Sequence, residues 1–134
     1  MRLVGGGSLG FLIFARRAPH FAARKEHTIM LRIYPVILEW LASLMPTLRL
    51  IGKADPDLEK QMRRAMQSTA LNTAEGMYSR GKNKKVRYNA ALGSAREVVA
   101  AIELGVVFEY LPKDAHRRVE QADRIIGTLV NLSR

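Results

Sequence analysis

Apolar and small residues return at steps of three and four along residues 57–77: Leu58, Met62, Ala65, Met66, Thr69, Thr73 and Met77. That spacing lays them on one face of a helix. Further on, Val86, Asn89, Ala90, Gly93, Arg96, Val99, Ala100, Val106 and Val107 track a second, less apolar face. Between the two lies Ser79-Arg80-Gly81-Lys82-Asn83. Gly81 suits the left-handed conformation that closes a helix, and Asn83 suits the cap of the next one. Residues 57–107 therefore read as two long helices folded back on each other about a short basic turn.

Upstream, Ile33, Val36, Ile37, Trp40, Leu41, Leu44, Leu48 and Ile51 hold helical spacing through residues 28–53. Pro35 is tolerable in a first turn, whereas Pro46 removes a backbone bond and clashes with the turn before it. The stripe continues in phase across Pro46, so the expectation is one helix kinked near residues 42–46. Trp40 lies on the stripe, as a core or interface anchor does. Asp55 is placed to cap the next helix, with Pro56 at its first position and Asp57 and Glu59 in its first turn. Downstream, residues 110–114 form a connection in which Pro112 opens the last helix. There Val119, Ala122, Ile126, Leu129 and Val130 make the apolar face, and Lys113, Arg117, Arg118 and Arg124 decorate the other side.

Folding the central hairpin about Gly81 sets a register. Glu75 falls level with Arg87, Ser68 with Ser94, and Arg64 or Arg63 with Glu97. Each level pairs opposite charges or small hydroxyls. Arg64, Asn72, Glu75, Ser94 and Glu97 then form either a polar seam inside the bundle or a solvated face. A buried seam demands that every group be paired.

Composition changes this picture in one respect. The chain has 134 residues and no cysteine, which excludes disulfides, thiolate catalysis and Cys-ligated metals. Its net charge is +10, and its isoelectric point is about 10.5. Such a chain is drawn to polyanions, nucleic acid first. The charge is concentrated. Residues 1–27 carry Arg2, Arg16, Arg17, Arg24 and Lys25 against Glu26 alone, and the turn carries Arg80, Lys82, Lys84, Lys85 and Arg87 with no acid.

Catalytic patterns are weak. Gly5-Gly6-Gly7-Ser8-Leu9-Gly10 satisfies G-x-G-x-x-G without the strand and crossover unit that a dinucleotide site needs. The run from Leu9 to Ala15 is too short to span a membrane. Residues 1–27 read as a poorly ordered basic leader, with Met30 as an alternative start, and residues 28–134 as the folded domain. His20, His27 and His116 have no H-x-x-x-H partner. Glu75, Glu97 and Glu103 lack the E-x-x-H motifs of helical-bundle metal sites. Gly76 to Asn83 resembles a phosphate loop but has Asn83 where Ser or Thr is required. The expectation is a protein without enzymatic activity, metal or cofactor.

Several short motifs in fixed order carry a family resemblance. Gln61-Met62-Arg63-Arg64-Ala65, Ser68, Leu71-Asn72-Thr73-Ala74-Glu75-Gly76 and Ala91-Leu92-Gly93-Ser94-Ala95-Arg96-Glu97 resemble the pattern of the 23S rRNA intervening-sequence proteins. Asp55-Pro56-Asp57-Leu58 matches the family's approach to its second helix. The resemblance covers residues 33–132. Thr73 stands where the family has Ile or Val, and Lys84-Lys85-Val86 is more basic than in many relatives.

The resemblance implies an all-α, antiparallel up-down four-helix bundle. Genes of the family lie inside intervening sequences of bacterial 23S rRNA genes. The related accessory variability proteins of diversity-generating retroelements form basic homopentamers that bind nucleic acid and a reverse transcriptase. The expectation is a cytoplasmic homo-oligomer, a pentamer by resemblance, that binds RNA or DNA backbone through Arg80, Lys82, Lys84, Lys85 and Arg87. Tyr78 and Tyr88 flank that turn as candidates for stacking on bases, Tyr88 with packing against the bundle as the favoured alternative. Trp40, Leu44, Leu48, Val106, Val107 and Phe108 offer surplus apolar surface for self-association. The competing expectation is a protein-interaction scaffold or reverse-transcriptase accessory module whose charge is incidental.

Overall fold

The structure is a computed structural model that describes the backbone from Lys25 and the side chains from Arg32 to Arg134. The glycine-rich stretch, the short apolar run and the basic residues before Lys25 lie outside the described residues. Ile33–Arg134 form one compact unit. Among the described residues the chain is all-α. It comprises α1 (Lys25–Ser43), α2 (Met45–Ala54), α3 (Pro56–Tyr78), α4 (Gly81–Val107), a 3-10 turn (Lys113–His116) and α5 (Arg117–Leu132).

Pro46 acts as its chemistry requires. The backbone breaks at Leu44 alone, and the segments on either side are bent by 43°. The apolar stripe runs through the bend: Ile33, Ile37, Trp40, Leu44, Leu48 and Ile51 are all buried. No single helix among the described residues is long and apolar enough to cross a membrane; the bent pair α1–α2 passes that test by length and composition. The residues of its apolar stripe are spent on the core, while Leu50 is exposed. Trp40, Leu44 and Leu48 are therefore not surplus surface, whereas Val107 and Phe108 are exposed.

Asp55 caps α3, its carboxylate accepting from the backbone N–H groups of Asp57 and Leu58 at 3.1 and 2.9 Å. Every residue of the expected α3 stripe is buried. Thr69 and Thr73 sit in that stripe without an unpaired hydroxyl, because each donates to the carbonyl four residues back, Ala65 O at 2.8 Å and Thr69 O at 2.7 Å.

The inward side of α4 differs from the expectation. Tyr88, Ala91, Leu92, Ala95, Val98, Ala101, Ile102 and Gly105 are buried. Val86, Asn89, Ala90, Gly93, Arg96, Ala100 and Val107 are exposed, and Val99 and Val106 are half-buried. Both sides of α4 carry apolar residues, so periodicity alone does not choose between them. The start of α4 also differs. Gly81 has φ of +57°, as its place at a reversal suggests, but the helix begins there and Asn83 lies inside it. Arg80 occupies the cap position with no side-chain hydrogen bond.

Pro112 opens the 3-10 turn rather than α5 itself. α5 buries Ala122, Ile125 and Leu129. Ile126, Val119 and Val130 are only half-buried. α2 packs on α3, α3 on α4, and α4 on α5.

Candidate nucleic-acid interface and the polar ladder of the hairpin

The α3–α4 turn consists of Ser79 and Arg80. Ser79 closes α3 by donating its hydroxyl to Glu75 O at 2.8 Å. Two residues of connection hold the ends of the helices together, so the charge of α4's first two turns is crowded at one end of the hairpin. Arg80, Lys82, Lys85 and Arg87 are exposed and Lys84 is half-buried. The first turn of α4 contains no acidic residue. Cations at a helix N-terminus oppose its dipole, at about 0.3–1 kcal/mol each. Local stability therefore does not account for this cluster.

The five basic residues are not equivalent. Arg87 Nε lies 2.9 Å from Glu75 Oε2 and Arg87 Nη1 lies 3.4 Å from Asn72 Oδ1, the second a long, weak bond. Its charge is thereby partly neutralised. Among the described residues Arg80, Lys82, Lys84 and Lys85 form no ion pair.

Glu75–Arg87 is the first rung of a ladder along the hairpin. One end of it is Ser94, whose hydroxyl donates to Ser68 Oγ at 2.7 Å; Asn72 Nδ2 donates to Ser68 Oγ and Ser68 O, both at 3.0 Å. Ser68, Asn72 and Ser94 are half-buried, and Glu75 and Arg87 are exposed. Arg64 and Glu97 do not join it. Both are exposed and form no ion pair with each other. Arg63 pairs within its own helix, its Nη2 lying 2.5 Å from Glu59 Oε1. The ladder runs along the edge of the hairpin where water reaches it, so the polar groups are not a seam through the core. A rung as exposed as Glu75–Arg87 contributes about 0–1 kcal/mol, and it fixes register more than stability.

The two tyrosines beside the turn part company. Tyr78 is exposed and available at the basic end. Tyr88 is fully buried, and its hydroxyl has no hydrogen-bond partner. A Cβ added at Gly76 would come within 2.9 Å of the Tyr88 ring, so Gly76 is the notch that admits it. Burial pushes the Tyr88 phenol well above its ordinary range. Tyr88 is thereby removed as a stacking residue. The register set by the turn puts Tyr88 level with Ala74, so the sequence did not single out Gly76 as its notch.

Elsewhere, a shallow cleft of about 350 Å³ is lined by Pro46, Leu50, Leu111, Asp114, Arg117 and Arg118. Arg118 Nη1 there donates to Ser43 O at 2.6 Å. Among the described residues no group of three or more His, Asp or Glu side chains is close enough to hold a metal ion.

The sequence model of one family, described as 23S rRNA-intervening sequence protein, matches residues 47–131. The chain belongs to this family. The match takes in the second half of the kinked pair, the whole α3–α4 hairpin with its ladder and basic turn, and nearly all of α5. The chain matches no curated protein and no solved structure.

Proposed function

We propose that the chain is a non-enzymatic, homo-oligomeric protein that binds RNA or DNA through its phosphate backbone. The carrying observation is the uncompensated positive charge of Arg80, Lys82, Lys84 and Lys85 at the exposed end of the α3–α4 hairpin. The first N–H groups of α4 have no intrahelical acceptor and no side-chain cap, so they add donors for a phosphate oxygen at the same end. Tyr78 offers a ring on which a base can stack. Such contacts are sensitive to salt and nearly indifferent to sequence.

In this reading α1 and α2 count as one bent helix, and the fold is an antiparallel up-down four-helix bundle. The family resemblance favours five copies. Several basic turns on one assembly multiply a weak contact by raising effective concentration. The protein works in the cytoplasm, without cofactor.

The test is a fluorescence anisotropy titration of single-stranded RNA at several salt concentrations. Affinity is expected to fall steeply as salt rises. The double substitution Lys84→Glu with Lys85→Glu is expected to weaken binding and flatten the salt dependence by about two in log–log slope per turn engaged. Helical content and oligomer size should not change. No binding at low ionic strength overturns the proposal.

A second reading is a protein-interaction scaffold or reverse-transcriptase accessory module. It is supported by the exposed apolar side chains Leu71, Val86, Val107 and Phe108. Co-purification with one stoichiometric protein and no nucleic acid would favour it.

A further inference from the structure

The outer face of α3 continues the basic turn. Lys60, Arg64, Gln67, Leu71, Ala74 and Tyr78 recur at steps of four and three, on the side of the helix opposite its buried stripe. All are exposed except Ala74, which is half-buried; Leu71 stands at 62% and Tyr78 at 57% exposure. The row is about 27 Å long at the usual helical rise, and its last residue lies just before Ser79 and Arg80. No acid interrupts it. Of the acids of α3, Asp57 precedes the row, Glu59 is engaged by Arg63, and Glu75 is paired with Arg87. Lys60 and Arg64 form no ion pair among the described residues.

We infer that a single-stranded nucleic acid bound at the basic turn runs on along this face of α3, with a base stacked on Tyr78, a base or sugar against Leu71, and phosphates at Arg64 and Lys60. The inference rests on the phosphate-binding reading above and adds to it a path and a class of strand.

Two features select this occupant. The first is charge. The row has free cations at its far end, Lys60 and Arg64, and joins the uncompensated cations of the turn at its near end. A long polyanion can meet both groups at once. The second is what lies between them. Leu71 and Tyr78 are apolar side chains left outside the core, one helical direction apart by seven residues. A duplex has its base faces covered by neighbouring pairs and offers a helix surface mainly phosphate and sugar, so an exposed ring adds little to its binding. A single strand can turn its bases outward onto a ring, and every base has a face to offer, so the contact tolerates any sequence.

The test is an anisotropy titration of the full chain with single-stranded RNA and with a duplex of the same sequence. Tyr78→Ala should weaken binding of the single strand about fivefold or more and leave duplex binding unchanged. Arg64→Glu should weaken binding of the single strand and flatten its log–log salt slope by about 0.7 per copy engaged. Arg124→Glu, an equal change of charge at an exposed position on α5, should do much less. The substituted side chains are exposed, and circular dichroism checks that helical content is retained.

Equal losses for single strand and duplex in Tyr78→Ala overturn the choice of strand. An Arg64→Glu effect no larger than that of Arg124→Glu overturns the path. Either result, with Lys84→Glu and Lys85→Glu still weakening binding, leaves the basic turn standing as the site. A wild type that binds neither probe at low ionic strength sinks both readings. Ultraviolet cross-linking of a bound oligouridylate, followed by tryptic mapping, gives an independent measurement. The attachment should fall on the peptide of residues 65–80, which holds Leu71 and Tyr78, and attachment confined to other peptides overturns the inference.

Discussion

α3 and α4 are two arms of one hairpin, and they differ in what they turn away from each other. α3 places Leu58, Met62, Ala65, Met66, Met77 and two satisfied threonines inward and keeps mostly polar residues such as Lys60, Gln61, Arg63, Arg64 and Gln67 outside. α4 places three alanines, Leu92, Val98, Ile102 and one tyrosine inward, and still carries Val86, Ala90, Ala100, Leu104 and Val107 outside. A helix with a single apolar stripe has only one way to face the core. A helix with two is assigned by fit, and size decides it here. Tyr88 enters at Gly76, the position on α3 that has no side chain. The difference between the arms is between a helix that ends at the core and one that continues beyond it.

Three measurements break or sharpen that comparison. The largest effect is expected at Ile102, fully buried on the inner side of α4. Ile102→Ala should cost about 2–5 kcal/mol of stability in urea unfolding through lost burial and the cavity left behind. Leu104→Ala, two residues away on the outer side and 43% exposed, should cost a small fraction of that. Equal costs would mean that the two sides of α4 are not distinct.

Gly76→Ala comes next. Its Cβ would stand 2.9 to 3.1 Å from three atoms of the Tyr88 ring, which is buried and has nowhere to go. Overpacking of about 1–3 kcal/mol should outweigh the gain in helix propensity, about 1 kcal/mol, and lower the melting temperature. Gly127→Ala in α5, where the added Cβ meets nothing within 4 Å, should give the propensity gain alone and raise it.

The third effect is confined to alkaline solution. The Tyr88 hydroxyl ionises from 10.0 in the unfolded chain and is held protonated in the fold by burial. The unfolded state therefore loses its proton first, and the stability associated with Tyr88 is fully present below pH 10 and is lost as pH rises above it. Tyr88→Phe removes this term together with an unpaired buried hydroxyl. It should be neutral or slightly stabilising at pH 7, and its unfolding midpoint should fall less than the wild type's between pH 9 and 11.

The same comparison explains what could be read in the sequence. The α3 stripe, the Asp55 cap and the Pro46 bend were legible, since each depends on residues close together in the chain. The register of the hairpin was legible at Glu75–Arg87 and Ser68–Ser94, because a two-residue turn leaves little freedom near it. It was not legible at Arg64 and Glu97, farther from the turn, where Arg63 has Glu59 on its own helix. The inward side of α4 was not legible because apolar residues stand on both sides and only the shape of α3 distinguishes them. Within α5, Ile125 and Ile126 are adjacent and equally apolar, and only packing shows that Ile125 is the buried one. Of the basic turn, the cluster was legible, and the diversion of Arg87 into the ladder followed from the register.

The hydrogen bond from Arg118 to the Ser43 carbonyl joins residues 75 positions apart, whereas the rungs between the two arms of the hairpin join residues 12 to 26 apart. Short loops close at lower entropic cost than long ones. The hairpin can thus form and find its register while α5 is still free, and Arg118 reaches the bend at Leu44 only when the last helix docks. A clamp that closes late leaves the rate of folding nearly untouched and slows unfolding. Its contribution is to the lifetime of the folded chain, and native-state hydrogen exchange would register its loss first at the amides of the bend.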